Sequence, residues 1–302
     1  VSLACRFSHC LGLGAAGTPH ALVCDPDSGR YELAEARNVD VKSGRLVRRP
    51  GLTRLGEAGF TSLFSDGRTL YGVFGQGLFA IPDQGKPRLL RGGLTDAPMA
   101  FEAVGDTVYF ANGFELGVIR DGAALPWSAP VFPGPDRSGR YVSPSAGQRL
   151  AYSAGRIWIA KDNLVRCTEG AGLFNWVDGL AGVLPPVTGR VRLLRAVSGG
   201  LLIGDDAGVL FAAGADLRTM TFARVCPVPP IPGSDAALVA GRHDAVAGLE
   251  LGGDGAVWAG SDGIYLGLAG GRVTRLAAAT IPAVSRATAV ATRDRYLLFL
   301  NE

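Results

Sequence analysis

The stretch GRTLYGVFGQGLFAI (67–81) decides the fold. Leu70, Gly72 and Phe74 fall on one side of an extended chain, and Tyr71 and Val73 fall on the other. That is the period of two that marks a strand. A glycine turn then leads into a second apolar run. The same order returns as GDTVYFANGFELGVI (105–119), GRIWIAKDNLVRC (155–167), GGLLIGDDAGVLFA (199–212) and GDGAVWAGSDGIYLG (253–267). A last partial copy, RDRYLLFLN, occupies 293–301. The turns hold Asp, Asn and Gly, which tolerate the backbone angles of tight hairpins.

Working outward, a short strand precedes the copies, such as TSLFSD (61–66) and MAFEAV (99–104). Another follows, such as KPRLLRG (86–92) and GRVTRLA (271–277). Four antiparallel strands per unit, recurring at roughly 40–50 residues, are the sequence pattern of β-propeller blades. The sixth copy ends after two strands, ATAVATR (287–293) and YLLFLN (296–301), while NVDVKSGRLVRRPG (38–51) resembles AIPDQGKPRLLRG (80–92), the outer half of the first full unit. The expectation is therefore an all-β, six-bladed β-propeller closed by N- and C-terminal strands that share one blade. An open β-sandwich is the competing fold, and it leaves the half-units at opposite ends unexplained. The expected organisation is an N-terminal arm (1–36) followed by the propeller (37–302). The propeller carries insertions at LPWSAPVFPGPDRSGRYVSPSAG (125–147) and CPVPPIPGS (226–234).

Composition agrees with this class. Of 302 residues, 47% are hydrophobic and 19% charged, with 44 Gly and 18 Pro, which suits short strands and tight turns. No apolar run approaches the ~18 residues of a membrane span. The N-terminus, with only Arg6 ahead of a broken apolar run, does not read as a secretory leader. Five scattered cysteines do not form a disulfide framework and suit assembly in a reducing cytoplasm. A net charge of +3 is too small to imply specific nucleic-acid binding. The charge is uneven, however: Lys42, Arg45, Arg48, Arg49 and Arg54 follow one another without an acid, either as a surface for an acidic partner or as a strand edge kept soluble.

Few residues suggest reaction chemistry, and no catalytic residue is assigned. The three histidines are His9, His20 and His243, of which only His243 lies among the blades, in GRHDAV (241–246), where it is expected as an exposed turn residue. GGDGAVWAG (252–260) lacks the Ser and Thr of a sialidase box, and its Trp258 suits packing between blades. Asp205, Asp206, Asp254 and Asp262 sit in hairpin turns without the spacing of a calcium loop. In the arm, Cys5, His9, Cys10, His20 and Cys24 are a ligand-like group that would suit zinc or an iron–sulfur centre, although the paired C-x2-C knuckle is missing. The other reading is idle thiols in an arm that docks on a neighbour.

Two segments carry a resemblance. EARNVDVKSGRLVRRPGLTRL (35–55), through Asn38, Val39, Asp40, Gly44, Leu46, Arg49, Pro50 and Gly51, is similar to the opening of bacteriophage virion propellers. DNLVRCTEGAGLFNWVDG (162–179), through Phe174, Asn175 and Trp176, resembles their later Asn-Trp step. That family includes tail-hub, nozzle and baseplate-type proteins. The resemblance implies a structural, non-enzymatic tail subunit, assembled in the host cytoplasm and residing in the virion. Its partners would be other tail or baseplate proteins, and host surface glycan is the alternative contact. Trp127, Phe132 and Tyr141 in the first insertion, with Arg45, Arg48 and Arg49, are the expected partner-binding residues. The chain is shorter than the nozzle proteins, which favours a peripheral tail-tip position.

Overall fold

The computed structural model describes residues 8–13, 22–25, 27–33, 39–42, 44–48, 59–82, 85–129, 141–170, 172–178, 182–243, 245–246, 249–282, 284, 286–292 and 296–301. The chain divides into two compact units, residues 1–57 with 277–279, and 58–276 with 280–302.

The larger unit is built from five four-stranded antiparallel sheets, each formed by strands that follow one another in the chain. The first holds Thr61–Ser65, Leu70–Phe74, Gly77–Ile81 and Arg88–Arg91. The second holds Ala100–Val104, Thr107–Ala111, Leu116–Arg120 and Ala123–Leu125. Arg149–Ser153, Arg156–Lys161, Leu164–Cys167 and Gly182–Val183 make the third. Leu193–Val197, Gly200–Asp205, Gly208–Ala213 and Thr221–Cys226 make the fourth. The fifth has Ala236–Leu238, Gly255–Gly260, Gly263–Gly267 and Val273–Ala278. A C-terminal hairpin, Arg286–Ala291 with Tyr296–Asn301, follows. The all-β class and the five complete repeats are as the sequence led us to expect.

Period-two alternation sets how the sheets pack. In the second sheet, Val108 and Phe110 join Tyr71, Val73 and Leu78 of the first sheet in one core. Their neighbours Tyr109 and Ala111 turn the other way, into a core with Leu150, Ile157 and Ile159 of the third. Further cores join the third sheet to the fourth through Trp158 and Leu201, and the fourth to the fifth through Phe211 and Trp258. Trp258 is fully buried and stacks on Tyr265 at 5.9 Å, the inter-sheet role expected of it. Burial on both faces explains why Thr107–Ala111, Gly200–Asp205 and Gly255–Gly260 read as nearly continuous apolar runs.

The first strands of the second, third and fourth sheets lie side by side, and that of the fifth lies beside the C-terminal hairpin. A polar bond ties each neighbouring pair of repeats. The Met99 amide donates to Ser62 Oγ at 2.9 Å, and the Tyr152 amide bonds the Glu102 carboxylate. Arg149 Nε donates to the Arg192 carbonyl at 3.0 Å, and Arg195 Nε to Asp235 Oδ2 at 2.6 Å. At the last junction the Ala287 amide donates to the Pro232 carbonyl at 2.8 Å, and the Tyr296 hydroxyl donates to the Ser234 carbonyl.

In the smaller unit, His9–Leu13 pairs in parallel with Arg30–Leu33, which pairs antiparallel with Cys24–Asp25. Val39–Lys42 and Arg45–Arg48 form a hairpin. Gly44 turns it at a φ of 75°, with the His9 ring standing where a side chain would go, so glycine is required there twice over. This hairpin and the C-terminal hairpin are separate two-stranded sheets, and among the described residues no sheet closes across the two ends.

Candidate functional site

A cavity of about 1210 Å³ opens among the first strands of the larger unit. The five sheets and the C-terminal hairpin line it: Phe64, Phe101, Leu150 and Leu194 from the first four sheets, Asp235 at the head of the fifth, and Ala287 from the hairpin. Hairpin tips between second and third strands add Asn112–Phe114, Lys161–Asp162 and Asp206.

The wall is cationic. Arg149, Lys161, Arg190, Arg192, Arg195 and Arg286 face it, against Asp162, Asp206 and Asp235. Two arginines are neutralised: Arg192 pairs with Asp206, and Arg195 pairs with Asp235. The Arg195–Asp235 pair is the deepest, with Asp235 only 6% exposed, and a second bond reaches from Arg195 to the Asp235 carbonyl at 3.3 Å. Burial pulls the Arg195 guanidinium down, but Asp235 and Glu102 outweigh it and hold the cation more firmly than usual. Arg149 has no such carboxylate. Its bonds go to the Arg192 and Gln148 carbonyls at 3.0 and 3.1 Å. Burial, with Arg195 and Arg190 close by, therefore leaves it below the ordinary arginine range, although Asp235 opposes them. Among the described residues Arg149, Lys161, Arg190 and Arg286 make no ion pair.

Glu102, on the first strand of the second sheet, lies within the influence of Arg195. Burial pushes its carboxyl up to about 7, against the pull of Arg195 and the Tyr152 amide. Its side chain is half-buried, and burial outweighs both partners.

The rim tip at Asn112–Phe114 is held from beneath. Buried Asn112 accepts from the Phe114 and Glu115 amides at 3.0 and 2.7 Å, and its Nδ2 donates to the Thr95 carbonyl at 3.3 Å. Phe114 is 69% exposed on this fixed turn.

The residues expected to bind partners fall elsewhere. Trp127 is buried, not displayed: its ring lies 4.6 Å from Tyr109 and its Nε1 donates to the Phe174 carbonyl at 2.7 Å. Tyr141 is half-buried and pairs with Val177. Arg45 and Arg48 are exposed on their hairpin. Phe132 and Arg49 lie outside the described residues, as do Cys5 and His20 of the Cys/His group. Cys10 and Cys24 both pair with Tyr31, from opposite sides, so a strand separates them, and His9 alternates to the other face from Cys10. Among the described residues no three His, Cys, Asp or Glu side chains gather as a metal site, and the described cysteines are free.

The remaining sequence features are structural. His243 is buried and not exposed as expected, drawn in by its own turn, where Nδ1 accepts from the Val239 amide at 3.2 Å. Asp205 accepts from the Thr188 and Ala207 amides at 3.1 and 2.8 Å. Asp262 accepts from the Tyr265 hydroxyl at 2.7 Å and from Arg275 at 3.1 Å, and Asp254 from the Ala240 amide at 2.9 Å. Phe174–Asn175–Trp176 forms a knot: Phe174 takes a φ of 45°, Asn175 is fully buried, and Arg166 lies over Trp176 at 5.3 Å.

No protein family matches the chain, and no curated protein is similar to it. Solved structures similar to it include a gluconolactonase from Xanthomonas campestris, at 13% identity and a TM-score of 0.48, spanning 81% of this chain and 86% of that one. A catalytically inactive virginiamycin B lyase from Staphylococcus aureus with quinupristin is similar at 14% identity and a TM-score of 0.42, over 76% and 73% of the two chains. The WD40 β-propeller domain of Doa1 is similar at 13% and 0.42, over 72% and 68%. Likeness at this level transfers neither an activity nor a residue role, so the reading of this chain rests on its own sheets and cavity.

Proposed function

We propose that the chain is a structural subunit of a bacteriophage tail, of the tail-tip, baseplate or hub type, which docks neighbouring virion proteins and works by binding and not by catalysis. In this reading it is a six-bladed β-propeller, the sixth blade standing on the C-terminal hairpin and closed by the strands of residues 38–51. It assembles in the host cytoplasm and resides in the virion. The observation that carries the reading is that both segments resembling phage propellers serve architecture. One forms the hairpin turned at Gly44, and the other forms the buried Phe174–Asn175–Trp176 knot that receives Trp127. A rigid stack of sheets, with polar ties at every junction, suits a part that transmits load between neighbours.

Mass spectrometry of purified particles tests it. The expected result is this chain at a fixed copy number set by rotational symmetry. Its absence from particles that contain the other tail proteins would refute the assignment. A second reading, a carbohydrate- or receptor-binding propeller that contacts the host surface, is favoured by the arginine-lined cavity and its exposed Phe114.

A further inference from the structure

We infer that the cavity binds an acidic sugar, its carboxylate held by Arg149 and Arg190 and one face of its ring stacked on Phe114. The inference rests on the carbohydrate-binding reading and is independent of the virion assignment.

Three features of the site point to this chemistry. The first is unspent charge. Arg192 and Arg195 already have carboxylate partners, whereas Arg149 and Arg190 face the same cavity without one. Arg149 is fixed by the Arg192 and Gln148 carbonyls, so its guanidinium is oriented before any ligand arrives. A planar, prepositioned guanidinium is suited to the planar carboxylate. Exposed Arg190 follows the Thr188–Gly189 turn, and its amide donates to Asp206 Oδ2 at 3.3 Å.

The second feature is the platform. A Phe exposed to this degree on a loop tip gains nothing from burial, yet its turn is held by three bonds to one buried asparagine. Rigid aromatic area at a cleft rim offers apolar contact at little cost in side-chain entropy. The C–H face of a pyranose ring has the matching shape and apolar character. The Phe114 turn adjoins the strand that Arg149 opens, on the wall of the same cavity: a side chain added at Gly113 would lie 3.0 Å from Gln148 Cγ, and Gln148 precedes Arg149.

The third is hydroxyl recognition. Gln148 and Asp162 form a fixed pair, the Asp162 amide donating to Gln148 Oε1 at 2.8 Å and Gln148 Nε2 donating to Asp162 Oδ1 at 3.3 Å. Lys161 stands beside them without an ion pair. Such a row of donors and acceptors suits a polyhydroxylated body, and the cavity is large enough for more than one sugar ring. An extended acidic peptide would use the same arginines but has no flat C–H ring face to lay on the Phe platform.

The test is calorimetric titration of the whole protein with trigalacturonate, its methyl ester, a neutral maltotriose and a tetraglutamate peptide. Trigalacturonate should bind with salt-dependent affinity, and the ester about tenfold or more weaker, because an ion-assisted hydrogen bond is lost. Arg190→Gln should reproduce that loss without changing thermal stability. Arg149→Gln should do the same, and its thermal unfolding is followed alongside to separate misfolding from lost contact. Phe114→Ala should weaken trigalacturonate and ester alike. Equal binding of trigalacturonate and its ester would overturn the acidic preference while leaving a sugar site standing. Binding of the peptide as tight as that of trigalacturonate would overturn the sugar. No binding of trigalacturonate, its ester or maltotriose at millimolar concentration would overturn both the inference and the carbohydrate reading.

Discussion

Replacing Glu102 by Gln should change how stability depends on pH, in a direction fixed by its burial. An unfolded chain ionises this carboxyl at the ordinary 4.5, and the folded protein holds its proton up to about 7. The folded state thus binds the proton more tightly. Its contribution is complete below the unfolded value and lost as pH rises through about 7. At about 1.4 kcal/mol per unit, the shift corresponds to at most roughly 3 kcal/mol. Glutamine has nearly the same shape, keeps an acceptor for the Tyr152 amide, and has no charge to desolvate. Glu102→Gln should therefore match the parent near pH 4 and exceed it by roughly 3 kcal/mol near pH 8. Urea unfolding of both proteins across that range, compared as differences, isolates this residue from every other titrating group. A variant less stable than the parent near pH 8 would show that attraction between Glu102 and Arg195 outweighs burial, and would refute the reasoning.

Trp127→Phe removes the Nε1 donor and leaves the Phe174 carbonyl buried without it, so stability should fall by about 1–3 kcal/mol in urea unfolding. An unchanged midpoint would return Trp127 to the role of a surface residue. Tyr296→Phe deletes the hydroxyl that reaches the Ser234 carbonyl and should cost about 1 kcal/mol. Hydrogen exchange should then quicken first in the C-terminal hairpin, and uniform quickening throughout would show that this bond does not anchor it locally.

The strands were legible in two ways: the less buried ones, such as Thr61–Ser65, alternate, and the central ones stand out as short apolar runs bounded by Gly and Asp turns, because burial against two neighbouring sheets leaves no polar face. Trp258 was legible for the same reason, as an aromatic in a central strand. Trp127 was misread because its surroundings are rich in proline. Proline marks an irregular backbone but says nothing about depth, and here the indole is drawn into the core beneath the Phe174 carbonyl. The cavity arginines were missed because their meaning is collective. Arg149, Arg192 and Arg286 each stand at or just before the head of a first strand, in three different repeats. Superimposing the repeats would have brought them to one position, whereas scanning along the chain scattered them among ordinary surface charges. The pairing of Cys10 and Cys24 across Tyr31 was likewise invisible, since it depends on a parallel strand pair that spacing alone does not encode.

Each core is shared by two successive sheets, and each polar tie spans one junction. Energetically the larger unit is therefore a row of coupled elements in which every member reads only its immediate neighbours. A defect in the third sheet weakens two couplings, while one in the first sheet or the C-terminal hairpin weakens a single coupling among the described residues. Among the described residues the interior members have the deepest mutual support, and a defect there is felt on both sides.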